Sequence, residues 1–354
     1  MTALTTQARP GADDARLRPV PWRRMAGVIW RQHRIALAGV AVLLGGLAVW
    51  LWTVGTSLHI AYAAALACHP ASSAACQNLV VAFNVSADNH FMGSKGPGGV
   101  LLQLVPALIG AFVGAPVLAR ELETGTFRFA WTQGFGRWRW ALAKLVGLAV
   151  VLAAATAAFG ALVSWYYQPE FAPGNSVPGL YEDSPLVTLF SLRELTFPAW
   201  TVAAFSIAAL AGMLVRRVVP AIVATLAVYA GLAFATAGLL REHYLTSLVT
   251  SSSFLPGASS AWVISQWSTK GGRFAFTGNP PGSLVNQLCS SVPPDKIGPL
   301  GFAPCLAQHG YTQWTSYQPA SRFWPYQLIE GGWLLALSAL LIAATIWLVR
   351  RRAA

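Results

Sequence analysis

Seven charged residues, Arg120, Glu121, Glu123, Arg128, Arg137, Arg139 and Lys144, crowd into the stretch from Gly114 to Lys144. Phe127, Phe129, Trp131, Trp138 and Trp140 are interleaved with them, and Thr124, Gly125 and Thr126 stand near its start. Glu121 and Glu123 would fall at the C-terminal end of a helix, where each opposes the helix dipole by about 0.3–1 kcal/mol. That cost asks for basic partners: Arg120, Arg128 or Arg137 in this chain, or arginines on a docked protein. Gly125 is placed to stop the helix. Docking is one reading of this pattern. The other is a solvated loop whose charges only fix topology.

Chemistry of other kinds has little support. No Gly-x-x-x-x-Gly-Lys-Ser/Thr loop occurs, and the glycine-rich run Gly93–Gly99 fails that pattern, so a nucleotide site is not expected in this chain. There is no nucleophile elbow or zincin motif, and His33, His59, His69, His90, His243 and His309 are scattered, so no catalytic residue and no metal site is assigned. An ion-coupled carrier generally needs a carboxylate or polar relay inside the membrane. Gln103, Glu330 and the Arg193–Glu194 pair are the weak candidates, all near the edges of apolar runs, where such groups usually anchor.

The elements that carry the charged stretch are apolar. Of 354 residues, 55% are hydrophobic and only 10% charged, against roughly 25% charged in soluble domains. Six runs are long enough to cross a bilayer, which takes about 20 helical residues each. They are placed near Ile35–Val54, Gly99–Leu118, Leu145–Trp165, Leu195–Val215, Val218–Leu240 and Gly331–Val349, with no Asp, Glu, Lys or Arg inside them. The expected fold is an all-α integral membrane protein, with a six-helix transmembrane unit over 21–349 and short tails at 1–20 (disordered) and 350–354. Residues 119–144 would form an inner loop, and 55–98, 166–194 and 241–330 outer ones. The first 20 residues have no apolar core, so the first apolar run is expected to remain as a span.

Of the 24 Lys and Arg residues, 17 fall in segments 1–34, 119–144, 216–217 and 350–354. Lys/Arg excess marks the cytoplasmic face, so both termini are expected in the cytoplasm and the protein in the plasma membrane. The net charge of +12 then serves topology and lipid headgroups, and nucleic acid is not expected as a partner. Trp22, Met25, Ala26, Ile29 and Trp30 follow helical spacing, with Arg23, Arg24, Arg31 and Arg34 between them. This reads as an amphipathic helix lying at the membrane surface, or as a basic flank that sets topology. Cys68, Cys76, Cys289 and Cys305 all fall on the outer side, where disulfides persist. Pairing within each loop is the simplest of three connectivities, and cross-loop pairing stays open. The two-residue turn at Arg216–Arg217 makes the fourth and fifth spans antiparallel neighbours. Gly39, Gly45, Gly46, Gly147 and Gly160 would allow close helix approach.

Glu121-Leu-Glu123-Thr-Gly125-Thr126, followed by Gly136-Arg137-Trp138-Arg139-Trp140 and Lys144, resembles the loop of ATP-binding-cassette (ABC) exporter permeases of the type-2 class. Residues 114–116, 119–121 and 125–133 are similar to those of actinobacterial six-span permease subunits. The six-span layout and the surface helix match as well; the longer, cysteine-bearing outer loops depart from a minimal member. The resemblance implies two permease subunits, a homodimer being the simplest case, around a central pathway, with two ATPase subunits beneath that hold ATP and Mg. It implies that Arg120, Glu121, Glu123, Thr124, Gly125, Thr126, Arg128, Arg137 and Lys144 couple ATPase closure to the spans. An uncharged pathway favours an apolar or amphipathic cargo such as a drug, antibiotic or lipid. A sensor or resistance complex without export, and an ion-coupled carrier, are the alternatives.

Overall fold

A computed structural model of the chain describes residues 22–70, 72–89, 97–125, 137–171, 184, 186–187, 189–251, 261–290 and 302–352. Six helices among these are long and apolar enough to cross a membrane, and each expected run lies largely within one of them. The helical elements are α1 (Trp22–Ala67), α2 (Ala74–Asn89), α3 (Pro97–Leu102), α4 (Val105–Thr124) and α5 (Arg137–Phe171), then α6 (Thr196–Val215), α7 (Val218–Ala235), α8 (Gly282–Cys289), α9 (Ala303–Gln308) and α10 (Phe323–Arg352). The six spanning helices are α1, α4, α5, α6, α7 with its π and 3₁₀ extension to His243, and α10.

Three boundaries differ from expectation for physical reasons. The second span begins at Val105 instead of Gly99, because Gln103 and Leu104 break the helix and Pro106 opens the next one. Proline fits the first turn, where its missing N–H costs nothing. The first outer segment is largely helical: α1 runs on to Ala67, and α2 packs back on it through Leu58, Phe83 and Ala87. Cys68 and Cys76 are disulfide-bonded across that turn. The third difference is at the N-terminus. α1 is 46 residues long, about 69 Å at 1.5 Å per residue, and runs through Arg34–Ile35 without interruption. Residues 22–34 are therefore not set off as a separate helix. Met25, Val40, Leu44, Leu51 and Leu58, at helical spacing, form one buried stripe along its length.

The expected outer loop 241–330 carries a small sheet beside the otherwise helical fold. It contains four antiparallel strands, β1 (Leu248–Thr250), β2 (Trp262–Lys270), β3 (Arg273–Thr277) and β4 (Tyr311–Gln318), in the order β1-β4-β2-β3. The Trp, Val, Ile, Thr and Tyr content of β2 and β4 suits a pleated, half-buried surface. Gly271 and Gly272, both at positive φ, make the two-residue β2–β3 hairpin turn. Cys289 at the end of α8 is bonded to Cys305 of α9 beside this sheet. Both disulfides thus follow the within-loop pairing.

The centre of the bundle is the α4–α6 pair, the two most buried spans. A Cβ added at Gly110 would come within 2.3 Å of Ala204 Cβ, and one at Gly114 within 2.7 Å of Ala208 Cβ. Gly212 meets the Ala115 carbonyl at 2.7 Å in the same way. Small residues four apart let two backbones touch, and that is what fixes this pair. Gly39, Gly45, Gly46 and Gly147 have no such neighbour and Gly160 only ordinary contact, so the glycines singled out from sequence are not the ones that set intrachain packing. α6 and α7 are joined by the expected turn, with Arg216 in the left-handed region (φ 60°) and Arg217 extended.

Candidate functional site

The charged end of α4 closes on α5. α4 ends at Thr124, Gly125 adopts φ 70°, and the Thr124 hydroxyl donates to the Arg120 carbonyl at 2.8 Å. This stop turns the chain away just after the acidic residues, and α5 returns from Arg137. The two helices then bring Lys144 Nζ to 2.6 Å from Glu121 Oε1. Both side chains are well buried, 2% exposed for Lys144 and 16% for Glu121, and the Lys144 ammonium also sits 4.7 Å from the centre of the Trp140 ring. The partner of Glu121 is therefore Lys144 and not Arg120, one of the three arginines named from sequence. The Arg120 and Glu123 side chains are exposed and form no ion pair among the described residues. Thr126 and Arg128 lie outside the described residues; Arg137 begins α5, its side chain undescribed.

The start of α1 and the end of α10 lie at this same end of the bundle. Arg350, in the last turn of α10, places its guanidinium 5.1 Å from the Trp138 ring at the start of α5. Met25 and Ile29, early in α1, turn inward, whereas Trp30, Arg31 and Arg34 are exposed. Trp22, Arg23 and Arg24 open that helix, their side chains undescribed. One end of the bundle thus carries the start of α1, the end of α10, the Arg216–Arg217 turn and the Glu121–Lys144 pair.

The opposite end holds a second buried ion pair. Glu330 of α10 is fully buried and accepts from Arg241 Nε at 3.0 Å and Nη2 at 3.1 Å, and from Trp200 Nε1 at 2.9 Å. Tyr244 donates to the same carboxylate at 3.4 Å and accepts from Trp333 Nε1 at 3.0 Å. A two-pronged guanidinium–carboxylate contact with added donors satisfies a buried carboxylate. Arg241 reaches it because the last turns of the fifth span widen into a π-helix, Thr236–Leu240, before a short 3₁₀ turn. Gln327, one turn earlier on α10, accepts from the Thr196 N–H and donates to the Phe190 carbonyl, tying down the start of α6.

Arg193 lies nearby without such a partner. Its guanidinium is buried between the Phe171 ring at 4.4 Å and the Phe323 ring at 4.5 Å, and its Nε and Nη1 lack acceptors. Burial pulls it from the usual arginine range to about 10, with Glu194 opposing the shift. Sequence spacing gave no signal for any of these pairings. Glu121 and Lys144 are 23 residues apart and Arg241 and Glu330 are 89 apart. Only the observation that charges flank the spans pointed toward them.

What the structure defines is a polytopic helical protein with a buried charge pair bracketing the 126–136 connection. The family model described as ABC-2 membrane transporter related matches residues 40–241, more than half of the chain. The chain belongs to that family, and the matched region runs from the first span to Arg241, through the Glu121–Lys144 pair. No curated protein and no solved structure matches it.

Proposed function

We propose that this chain is the permease subunit of an ABC exporter that moves an apolar or amphipathic substrate outward. Membership of the ABC-2 family supports the permease role. The single observation that carries the rest is the buried Glu121–Lys144 pair at the mouth of segment 126–136. Two permease chains, most simply a homodimer, enclose the pathway, and two separate ATPase subunits supply ATP hydrolysis. The end that carries Glu121–Lys144, the start of α1 and the end of α10 faces the cytoplasm of the plasma membrane, because it also carries the Lys/Arg excess.

In this reading Arg120, Glu123, Thr124, Gly125, Thr126, Arg128 and Arg137 meet the ATPase surface, with Glu123 and Arg120 exposed for that contact. Glu121 and Lys144 act behind them, holding α4 and α5 together so that a push on the loop moves both helices. Trp30, Arg31 and Arg34, with Trp22, Arg23 and Arg24, ride at the inner membrane surface. An apolar cleft of about 550 Å³ between the first and third spans, with Ile35, Leu37, Val40, Val151 and Leu152 in its walls and Arg34 at its edge, fits an amphipathic cargo. The folded sheet over 248–318 favours a second reading, in which ATP hydrolysis moves the outer module and nothing is exported.

The test is mild-detergent capture of the chain from its native membrane, with mass spectrometry and an ATPase assay. A stoichiometric ABC ATPase that is lost when residues 121–126 are scrambled supports docking. A chain that comes down alone removes it. Reconstituted vesicles then decide between the readings: ATP hydrolysis without substrate movement replaces export by sensing.

A further inference from the structure

The sheet module contains a half-open cavity of about 730 Å³ between the β2–β4 face and the α8 and α9 helices. Its size falls in the range of small-molecule sites, about 300–1,000 Å³. Its walls are held from both sides: β2 and β4 pair along Trp262–Lys270, and Cys289–Cys305 joins α8 to α9.

The lining is polar yet carries no Asp, Glu, Lys, Arg or His among the described residues. Lys270 is the nearby cation, and it lies over the Tyr311 ring at 4.8 Å without lining the space. A charged ligand would meet no opposite charge among the described lining residues, and desolvating an unpaired charge is costly. Among the polar groups that line it are the amides of Asn279, Asn286 and Gln313 and the Ser268 hydroxyl, and none of these side chains has a hydrogen-bond partner among the described residues. Ser268 is the telling one. The residue as a whole is only 5% exposed and it lines the cavity, so the cavity is where its hydroxyl would find a partner. Amides and hydroxyls each donate and accept, which matches a ligand whose own groups do both. Val285 and Leu306 add apolar patches against which C–H faces can pack.

We propose that this cavity is a binding site for an uncharged, hydroxyl-rich ligand, of the class of a short neutral oligosaccharide. A purely apolar ligand would strand the amides and the serine; an ionised one would lack a counter-charge. The site lies at the end of the bundle remote from Glu121–Lys144 and does not require that an ATPase dock there.

The full-length chain in lipid nanodiscs, with both disulfides intact, is titrated calorimetrically with maltotriose and with tri-N-acetylchitotriose, and with trigalacturonate as the ionised counterpart. Saturable binding of at least one neutral probe is expected, with trigalacturonate weaker. Ser268→Ala and Gln313→Ala should each weaken that binding by roughly tenfold, the loss of one well-placed hydrogen bond. Protection of Cys289 and Cys305 from alkylation verifies that both variants keep the module folded. Absence of saturable binding for both neutral probes overturns the proposal. So does binding that survives both substitutions unchanged, or trigalacturonate binding as tightly as the neutral sugars. Because no ATPase is present in the assay, a failure of the docking reading leaves these outcomes intact.

Discussion

Replacing Lys144 by methionine keeps most of the side-chain volume and removes the ammonium that Glu121 faces at 2.6 Å. Glu121 Oε2 already lacks a hydrogen-bond partner, so the substitution would leave the carboxylate unpaired in a setting where it is only 16% exposed. Breaking a buried pair from one side costs about 3–5 kcal/mol, because the remaining charge stays buried alone. At about 2–4 °C per kcal/mol for chains of 150–250 residues, Lys144→Met should lower the thermal midpoint of the solubilised protein by roughly 10 °C. Glu121→Gln combined with Lys144→Met removes both charges and should recover at least half of that loss. The double-mutant cycle then gives a coupling energy of about 2 kcal/mol or more. A Lys144→Met midpoint within about 2 °C of wild type, or a double variant equal to the sum of the singles, would refute the argument that this pair holds α4 to α5.

Gly110→Val and Gly114→Val should abolish stable folding, read as loss of monodisperse protein after extraction, since even the Cβ atom collides with α6. Gly46→Ala, with nothing within 4 Å, should leave it unchanged. Arg193→Met should leave the thermal midpoint equal or higher. A base whose folded pKa is depressed to about 10 costs stability while charged, and that cost is carried in full at neutral pH; a marked fall would mean that the Phe171 and Phe323 rings hold the cation more strongly than burial opposes it. The four cysteines should resist alkylation until a reductant is added, and full labelling without reductant would contradict both disulfides. On the export reading, Glu121→Ala with Glu123→Ala should lower cargo-stimulated ATP hydrolysis in the captured complex while membrane insertion persists, and unchanged stimulation would reduce the loop to a topological signal.

The spans were legible because length and apolarity alone decide them; the bilayer sets the length and the backbone must close its own hydrogen bonds. The stop at Gly125 and the turn at Arg216–Arg217 were legible because local chemistry determines both. The sheet over 248–318 was not read, since β2 and β4 mix polar with aromatic residues, lack a clean apolar–polar alternation and lie far apart along the chain. The contact glycines were misjudged for a different reason. Gly46 and Gly114 look alike along the chain, and only the position of α6 makes one of them a contact. Glu121 and Glu330 illustrate the same limit from the polar side. Their location near span ends was visible, but a partner 23 or 89 residues away depends on how helices assemble, which spacing does not encode.

The two buried pairs stand at opposite ends of one continuous contact. Glu121 belongs to α4, and α4 meets α6 backbone to backbone at Gly110, Gly114 and Gly212. Trp200 of α6 donates to Glu330, which holds Arg241 and, through α10, the strand that ends at Gln318. Gln318 donates to the Leu245 carbonyl and accepts from Arg322, so the base of the sheet is bonded to the heads of the fifth and sixth spans. Close-packed helices without side chains between them cannot slide independently at low cost. On this geometry a push on α4 is expected to displace α6 and reach Glu330. Such a chain of contacts is a route only if its ends are energetically coupled. Trp200→Phe supplies the check, since it removes the N–H to Glu330 and keeps a ring against Tyr229. Combined with Lys144→Met, it should show non-additive loss of ATPase stimulation; simple additivity would leave two separate anchors.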